Sequence, residues 1–124
     1  MRGFLAAALA MAALPALAQT PLTGDADAGR ETFNAECRTC HNGAIAPSLK
    51  GVVGRKIAGA PDFAGYTPAL KAKGADAWTE PSLDAFLKAP ADFAPGTEMK
   101  KALPEDQARA DIIAYLKAVS QPAE

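Results

Sequence analysis

Cys37-Arg38-Thr39-Cys40-His41 is the stretch on which the reading of this 124-residue chain turns. Two thiols three positions apart near a helix end reach one edge of a flat macrocycle. The imidazole that follows is directed at a metal in its centre from one face. This C-x-x-C-H spacing is the attachment motif for haem c, with Cys37 and Cys40 forming the thioethers and His41 supplying an axial nitrogen. Three rivals fare worse. A structural zinc site needs four N or S ligands, commonly from two such pairs, and the chain holds two Cys and one His. A thioredoxin-like redox pair belongs in a βαβ context, and no segment alternates long enough to make the strands. A plain disulfide here would close a very short loop and stabilise little.

Working upstream, Asp25 can cap a helix running to about Cys37, with Ala26, Gly29 and Phe33 on one face. Gly29 on that otherwise buried face predicts the close approach of another backbone. Downstream, Asn42 to Tyr66 is rich in Gly, Pro and Ala without a sustained period, and reads as loop. So long a loop in so small a domain wraps something other than protein. Thr67-Pro68 has the order of a helix start, and Gly74 closes that helix. Thr79 caps a third helix through Lys88, with Leu83, Phe86 and Leu87 facing inward and Pro81 harmless in the first turn. Pro90 and Pro95 bracket a second loop that extends to Met99. Pro104 opens the last helix, Glu105 and Asp106 complement its dipole, and Ala108, Ile112, Tyr115, Leu116 and Val119 repeat at helical spacing. The fold class is all-α: four short-to-medium helices and long loops wrapped around one covalent haem. Large apolar residues are sparse, and a domain of this size buries little surface. The haem supplies the missing core.

The sixth iron position separates a carrier from a catalyst. With a single histidine in the chain, Met99 is the candidate for the distal ligand. A methionine in a small protein is often core filler. Met99 instead follows Pro95-Gly96-Thr97 in a loop, off the apolar face of any helix, and far enough from Cys37 to cover the opposite face of the haem. His/Met ligation raises the potential and leaves no open site, which favours electron transfer over oxygen or peroxide chemistry.

The amino terminus has its own logic. Met1 and Arg2 give a positive start, Phe4 to Leu14 is apolar, and Pro15-Ala16-Leu17-Ala18 supplies the small residues of a cleavage site. Residues 1–18 read as a signal peptide and 19–124 as the domain, exported to the periplasm. The apolar run is about half of the ~20 residues a spanning helix needs, and Pro15 interrupts it, so no stable membrane anchor is expected. Removing Arg2 with the leader leaves twelve basic against fourteen acidic residues. There is no basic excess to neutralise phosphates, which argues against nucleic acid as a partner.

From Gln19 onward the chain resembles the class I cytochromes c, the mitochondrial-type and small soluble bacterial forms. The residues that carry the likeness are the attachment motif, Gly29-x-x-x-Phe33-x-x-x-Cys37, Pro47-x-Leu49-x-Gly51-x-x-Gly54-Arg55-Lys56, Pro95-Gly96-Thr97-Glu98-Met99, and Ile112, Ile113, Tyr115 and Leu116. The resemblance implies that the first and last helices cross at Gly29 and that the Pro47 carbonyl orients the axial imidazole. It implies that Arg55, Tyr66 and Trp78 surround a buried haem propionate, with Thr97 as a further partner; Trp78 also suits core packing, its indole N–H needing an acceptor. Departures are visible as well. The stretch from His41 to Pro47 is short, so one surface loop is trimmed. Phe63 and Tyr66 are spaced one residue wider than in the mitochondrial form, and Phe86 stands where that form has a tyrosine. Glu36 and Ala91-Asp92 replace lysines around the haem edge, with Lys100 and Lys101 partly restoring positive charge.

The function this implies is not enzymatic. It is a monomeric one-electron carrier meeting redox proteins (cytochrome complexes, oxidases or dehydrogenases, as in a respiratory chain) through an exposed haem edge. The alternative is a haem c subunit held in a periplasmic dehydrogenase or sulfur-oxidising complex. A catalytic or ligand-sensing haem protein would need an open distal position, against which Met99 argues.

Overall fold

Asp25 starts the first helix. Its carboxylate accepts the backbone N–H groups of Asp27 and Ala28, two of the donors a helix start leaves free. Helix α1 then runs over Ala26–Glu36 and is stopped at Cys37, whose N–H still reaches Phe33 O. The computed structural model describes residue 3, residues 8–13 and residues 22–121. The cleavage position expected after Ala18 lies outside the described residues. Four further helices follow: α2 (Pro68–Lys71), α3 (Glu80–Lys88), α4 (Pro90–Phe93) and α5 (Asp106–Ser120). Among the described residues no strand forms; Lys56 and Ala77 make one isolated antiparallel bridge. No helix of the described residues is long and apolar enough to cross a membrane.

α1 and α5 cross, and glycine makes the crossing possible. A Cβ on Gly29 would lie 2.0 Å from the carbonyl oxygen of Asp111, and one on Gly24 would lie 2.0 Å from that of Ala110. No side chain fits there. Phe33 packs on Tyr115 with ring centroids 5.2 Å apart, and the Asp25 N–H donates to Asp111 Oδ1 at 2.8 Å. The inward face of α5 buries Ile112 and Leu116 to 2% exposure, worth roughly 1.5–3 kcal/mol for each side chain. α3 begins with a capping box between Thr79 and Ser82 and turns Leu83 and Leu87 into the same core.

Three expectations need correction. The segment after Pro90, read as loop, contains the one-turn helix α4, closed by Ala94 N–H on Pro90 O; four residues are too few to display a period. α2 ends at Lys71 with Ala72 as its cap rather than at Gly74, and Thr67 makes no capping hydrogen bond. α5 starts at Asp106, two residues after Pro104, with no side-chain cap on it.

Candidate functional site

The turn that leaves α1 carries both thiols and the imidazole. Cys40 N–H and His41 N–H both donate to Cys37 O, at 3.2 and 2.9 Å, so the chain coils tightly from Cys37 to His41. Ala46 N–H returns to Cys40 O at 3.0 Å and closes the short connector. Pro47 follows at once, and His41 Nδ1 lies 2.9 Å from its carbonyl oxygen. A carbonyl only accepts, so Nδ1 bears the proton and Nε2 keeps its lone pair for a metal. Burial holds the His41 pKa below its ordinary value, partly opposed by the Pro47 hydrogen bond. The ring is therefore neutral at pH 7. Burial pushes the Cys37 thiol up, Glu36 adds to this, and Lys101 opposes it. Neither Cys37 nor Cys40 is in a disulfide.

Met99 sits half-buried in a segment pinned at both ends. Thr97, 3% exposed, donates its N–H to Ala94 O at 3.0 Å, and its hydroxyl accepts the Met99 N–H at 3.3 Å. Gly96 makes the intervening turn at φ +85, a left-handed conformation other residues rarely adopt. Beyond Met99, Leu103 N–H donates to Leu87 O at 2.8 Å, tying the segment to α3. The two lysines expected to restore positive charge are engaged. Lys101 Nζ pairs with Glu36 Oε2 at 2.9 Å, and Lys100 Nζ donates to Thr97 O at 2.9 Å. Glu36 thus offsets the Lys101 charge, whereas Lys100 keeps its charge, its acceptor being a neutral carbonyl.

One apolar cluster brings Cys37, Tyr66, Trp78, Phe86 and Met99 together. Trp78, 8% exposed, lies against Phe86 and Phe93 with centroids 5.3 and 5.6 Å away. Its backbone pairs with residues 54 and 55: Trp78 N–H to Arg55 O and Gly54 N–H to Trp78 O, both 2.8 Å. Arg55 is placed beside the histidine side by Nη2 donating to Ser48 O at 3.1 Å. The Tyr66 hydroxyl accepts Ala60 N–H at 3.1 Å and keeps its own proton to give.

Two buried polar atoms have no partner among the described residues, Arg55 Nε and Thr67 Oγ1. Each such group costs about 1–3 kcal/mol if left so. Thr67 follows Tyr66 in the chain and the Arg55 backbone pairs with Trp78; a cationic N–H and a hydroxyl are donor types that suit the carboxylate of a haem propionate. The two thiols can form thioethers with a porphyrin edge, and the neutral imidazole and the Met99 thioether are the donor types that bind haem iron. Among the described residues no group of three or more His, Cys, Asp or Glu could hold a metal ion on its own. The residues present fit haem c. Thr67 was missed by sequence reasoning, which used it as a helix cap. Arg109 was missed too. It is 3% exposed on the inward face of α5, where the period called for an apolar residue.

A groove of about 660 Å³ opens beside His41, lined by Phe33, Arg38, Leu49, Lys50, Tyr115 and Val119 among others.

Comparison with known proteins gives the family. The family model for cytochrome c matches residues 26–120, from the start of α1 to the end of α5. The chain is 48% identical over 101 residues to the cytochrome c of Tetrahymena pyriformis, covering 77% of this chain and 90% of that one. It is 42% identical over 103 residues to the cytochrome c-type cyt cy of Rhodobacter capsulatus, covering 79% of this chain and 51% of that longer protein. Among solved structures, cytochrome cH from Methylobacterium extorquens superposes with a TM-score of 0.69 at 39% identity, covering 77% of this chain and 99% of that one. The attachment turn, the methionine segment and the crossed helices all fall inside these matches, and the chain belongs to the cytochrome c family, electron-transfer proteins that carry covalently attached haem c.

Proposed function

We propose that the protein is a periplasmic one-electron carrier whose haem c is attached at Cys37 and Cys40 and held by His41 on one face and Met99 on the other. The observation that carries this reading is the pair of fixed donors. The Pro47 carbonyl leaves His41 Nε2 unprotonated, and the Thr97 hydroxyl holds the Met99 backbone in a segment anchored at Ala94 and Leu87. Haem iron with nitrogen and thioether ligands exchanges one electron at a raised potential and leaves no position for a substrate. The protein's part is to hold both donors still, so that little rearranges on transfer. Arg55 Nε and the Thr67 hydroxyl supply hydrogen bonds to a propionate, with Tyr66 beside them, and Trp78 closes the apolar wall.

The leader pattern at residues 1–18 supports export, leaving residues 19–124 as the working domain. A carrier that turns over quickly meets redox proteins through a small, weak interface, and a monomer suits that use. A second reading, a haem c subunit of a periplasmic dehydrogenase or sulfur-oxidising complex, draws support from the groove beside His41, which a permanent partner would cover; that reading expects a second chain to co-purify.

Met99→Ala tests the ligand assignment. The expected result is a reduced protein that binds carbon monoxide and exchanges electrons poorly, with the haem still attached at Cys37 and Cys40. A Met99→Ala protein with an unchanged spectrum and no carbon monoxide shift removes Met99 from the site.

A further inference from the structure

Arg109 makes contacts that its position on a helix does not require. Four of its N–H groups are spent on two elements and one loop. Nε donates to Asp84 Oδ1 of α3 at 2.7 Å, and Nη2 donates to Asp106 Oδ1 in the first turn of α5. Nη1 donates to Leu103 O and Pro104 O, both at 2.8 Å. Those two carbonyls end the segment that carries Met99, and Leu103 is only four positions beyond it. Leu103 is itself 7% exposed and bonded through its N–H to Leu87. A buried charge needs its donors matched, and here much of the matching is done by the backbone of the methionine segment. The charge is secure, because the Asp84 hydrogen bond, ahead of the other influences, holds the guanidinium above its already high pKa.

We propose that Arg109 is a positioning residue for Met99: by fixing the Leu103 and Pro104 carbonyls against α3 and α5, it sets how readily the thioether leaves the iron. This rests on the reading of Met99 as the sixth ligand. The fork of the guanidinium matters, since a single ammonium cannot hold two carbonyls and a carboxylate in one fixed geometry. The Thr97 hydroxyl fixes the near end of the segment and Arg109 the far end, and Met99 lies between them.

The test is imidazole binding to the ferric haem-loaded protein, which displaces Met99 from the iron, measured beside denaturant unfolding. The variants are Arg109→Gln, Arg109→Lys, Met99→Ala, the Arg109→Gln/Met99→Ala double variant, and Ile112→Val as a control. Ile112 is buried at 2% exposure on the same helix, and its hydrocarbon side chain donates no hydrogen bond to either carbonyl. Losing hydrogen bonds from a charged group should tighten imidazole binding of Arg109→Gln by about 10–100-fold. Arg109→Lys should fall between Arg109→Gln and the unsubstituted protein, and Ile112→Val should change binding less than about twofold despite its loss of stability. The double variant should bind imidazole as Met99→Ala alone does, the non-additivity that marks action through Met99. Binding by Arg109→Gln within twofold of the unsubstituted protein, or no tighter than in Ile112→Val, overturns the proposal. If Arg109→Gln does not fold, Arg109→Lys decides by the same criterion. If Met99→Ala itself binds imidazole no more tightly than the unsubstituted protein, the ligand assignment fails and takes this proposal with it.

Discussion

The two flanks of the site are built in opposite ways. On the histidine flank everything is local: Cys37, Cys40 and His41 lie in one turn, and the carbonyl that orients the imidazole is six residues further on. On the methionine flank the support is remote. The segment around Met99 is held by its own Thr97, by Leu87 of α3, by Arg109 of α5, and by a pair between Lys101 and Glu36 of α1. The histidine flank needs little beyond its own sequence, whereas the methionine flank depends on the tertiary fold being complete. In a protein whose parts loosen unequally, the element with remote support is the one to loosen first.

The largest expected effect strikes the crossing on which both flanks stand. Gly29→Val puts side-chain atoms into the backbone of Asp111, which cannot move aside as a flexible side chain would. Overpacking of this kind costs about 3 kcal/mol or more, and denaturant unfolding of the haem-loaded protein measures it. The methionine flank, which depends on the complete fold, is expected to lose more than the histidine flank; a mild loss would mean that the helices part without harm and that the crossing is not the foundation.

Next come two threonines. Thr67→Val removes the buried hydroxyl that lacks a protein partner. If that hydroxyl donates to a propionate, the variant loses about 1.5–3 kcal/mol, the range for hydrogen bonds to charged groups, with a shifted potential on voltammetry. If it donates to nothing, the same variant is more stable. Thr97→Val strands the Met99 N–H and should cost about 1–3 kcal/mol, together with tighter imidazole binding to the ferric iron. On the histidine flank, Pro47→Ala keeps the carbonyl that His41 uses and loses only chain stiffness, about 0.4–1 kcal/mol, with imidazole binding unchanged. A Pro47→Ala protein that loosened Met99 as much as Thr97→Val would erase the contrast between the flanks.

The smallest effect belongs to Glu36→Gln. Its pair with Lys101 is half exposed on both sides, so about 0.2–1 kcal/mol is at stake. The difference from the unsubstituted protein should vanish in high salt. A salt-independent effect would show that the pair is more enclosed than its exposure indicates.

The same contrast explains what could be read in the sequence. The attachment turn and the Pro47 carbonyl lie within a few residues of each other, and short spacing fixes local geometry. Gly29 stood out as a small residue on an apolar face, and Asp25 and Thr79 preceded runs that needed caps. Met99 is proposed as a ligand by counting, since the chain offers no second histidine. Its supports were hidden. Thr67 before Pro68 has the form of a cap, and only the fold shows a buried hydroxyl that makes no capping bond. Arg109 shares a helical face with Ile112 and Leu116; a charged residue on an apolar stripe was the available signal, but its partners in α3 and at Leu103 and Pro104 exist only once the chain is folded. The partners of Lys100 and Lys101 were hidden too, because a sequence does not say which way a long side chain turns.

The central claim is that one haem c sits between His41 and Met99 with no open position. The most direct test is the absorption spectrum of the exported protein, ferric and ferrous, with and without carbon monoxide. A c-type spectrum, the weak long-wavelength ferric band of methionine-sulfur ligation, and no change when carbon monoxide meets the reduced protein are expected. A c-type spectrum lacking that band and shifted by carbon monoxide would contradict the claim, and would make the methionine flank an open site rather than a closed one.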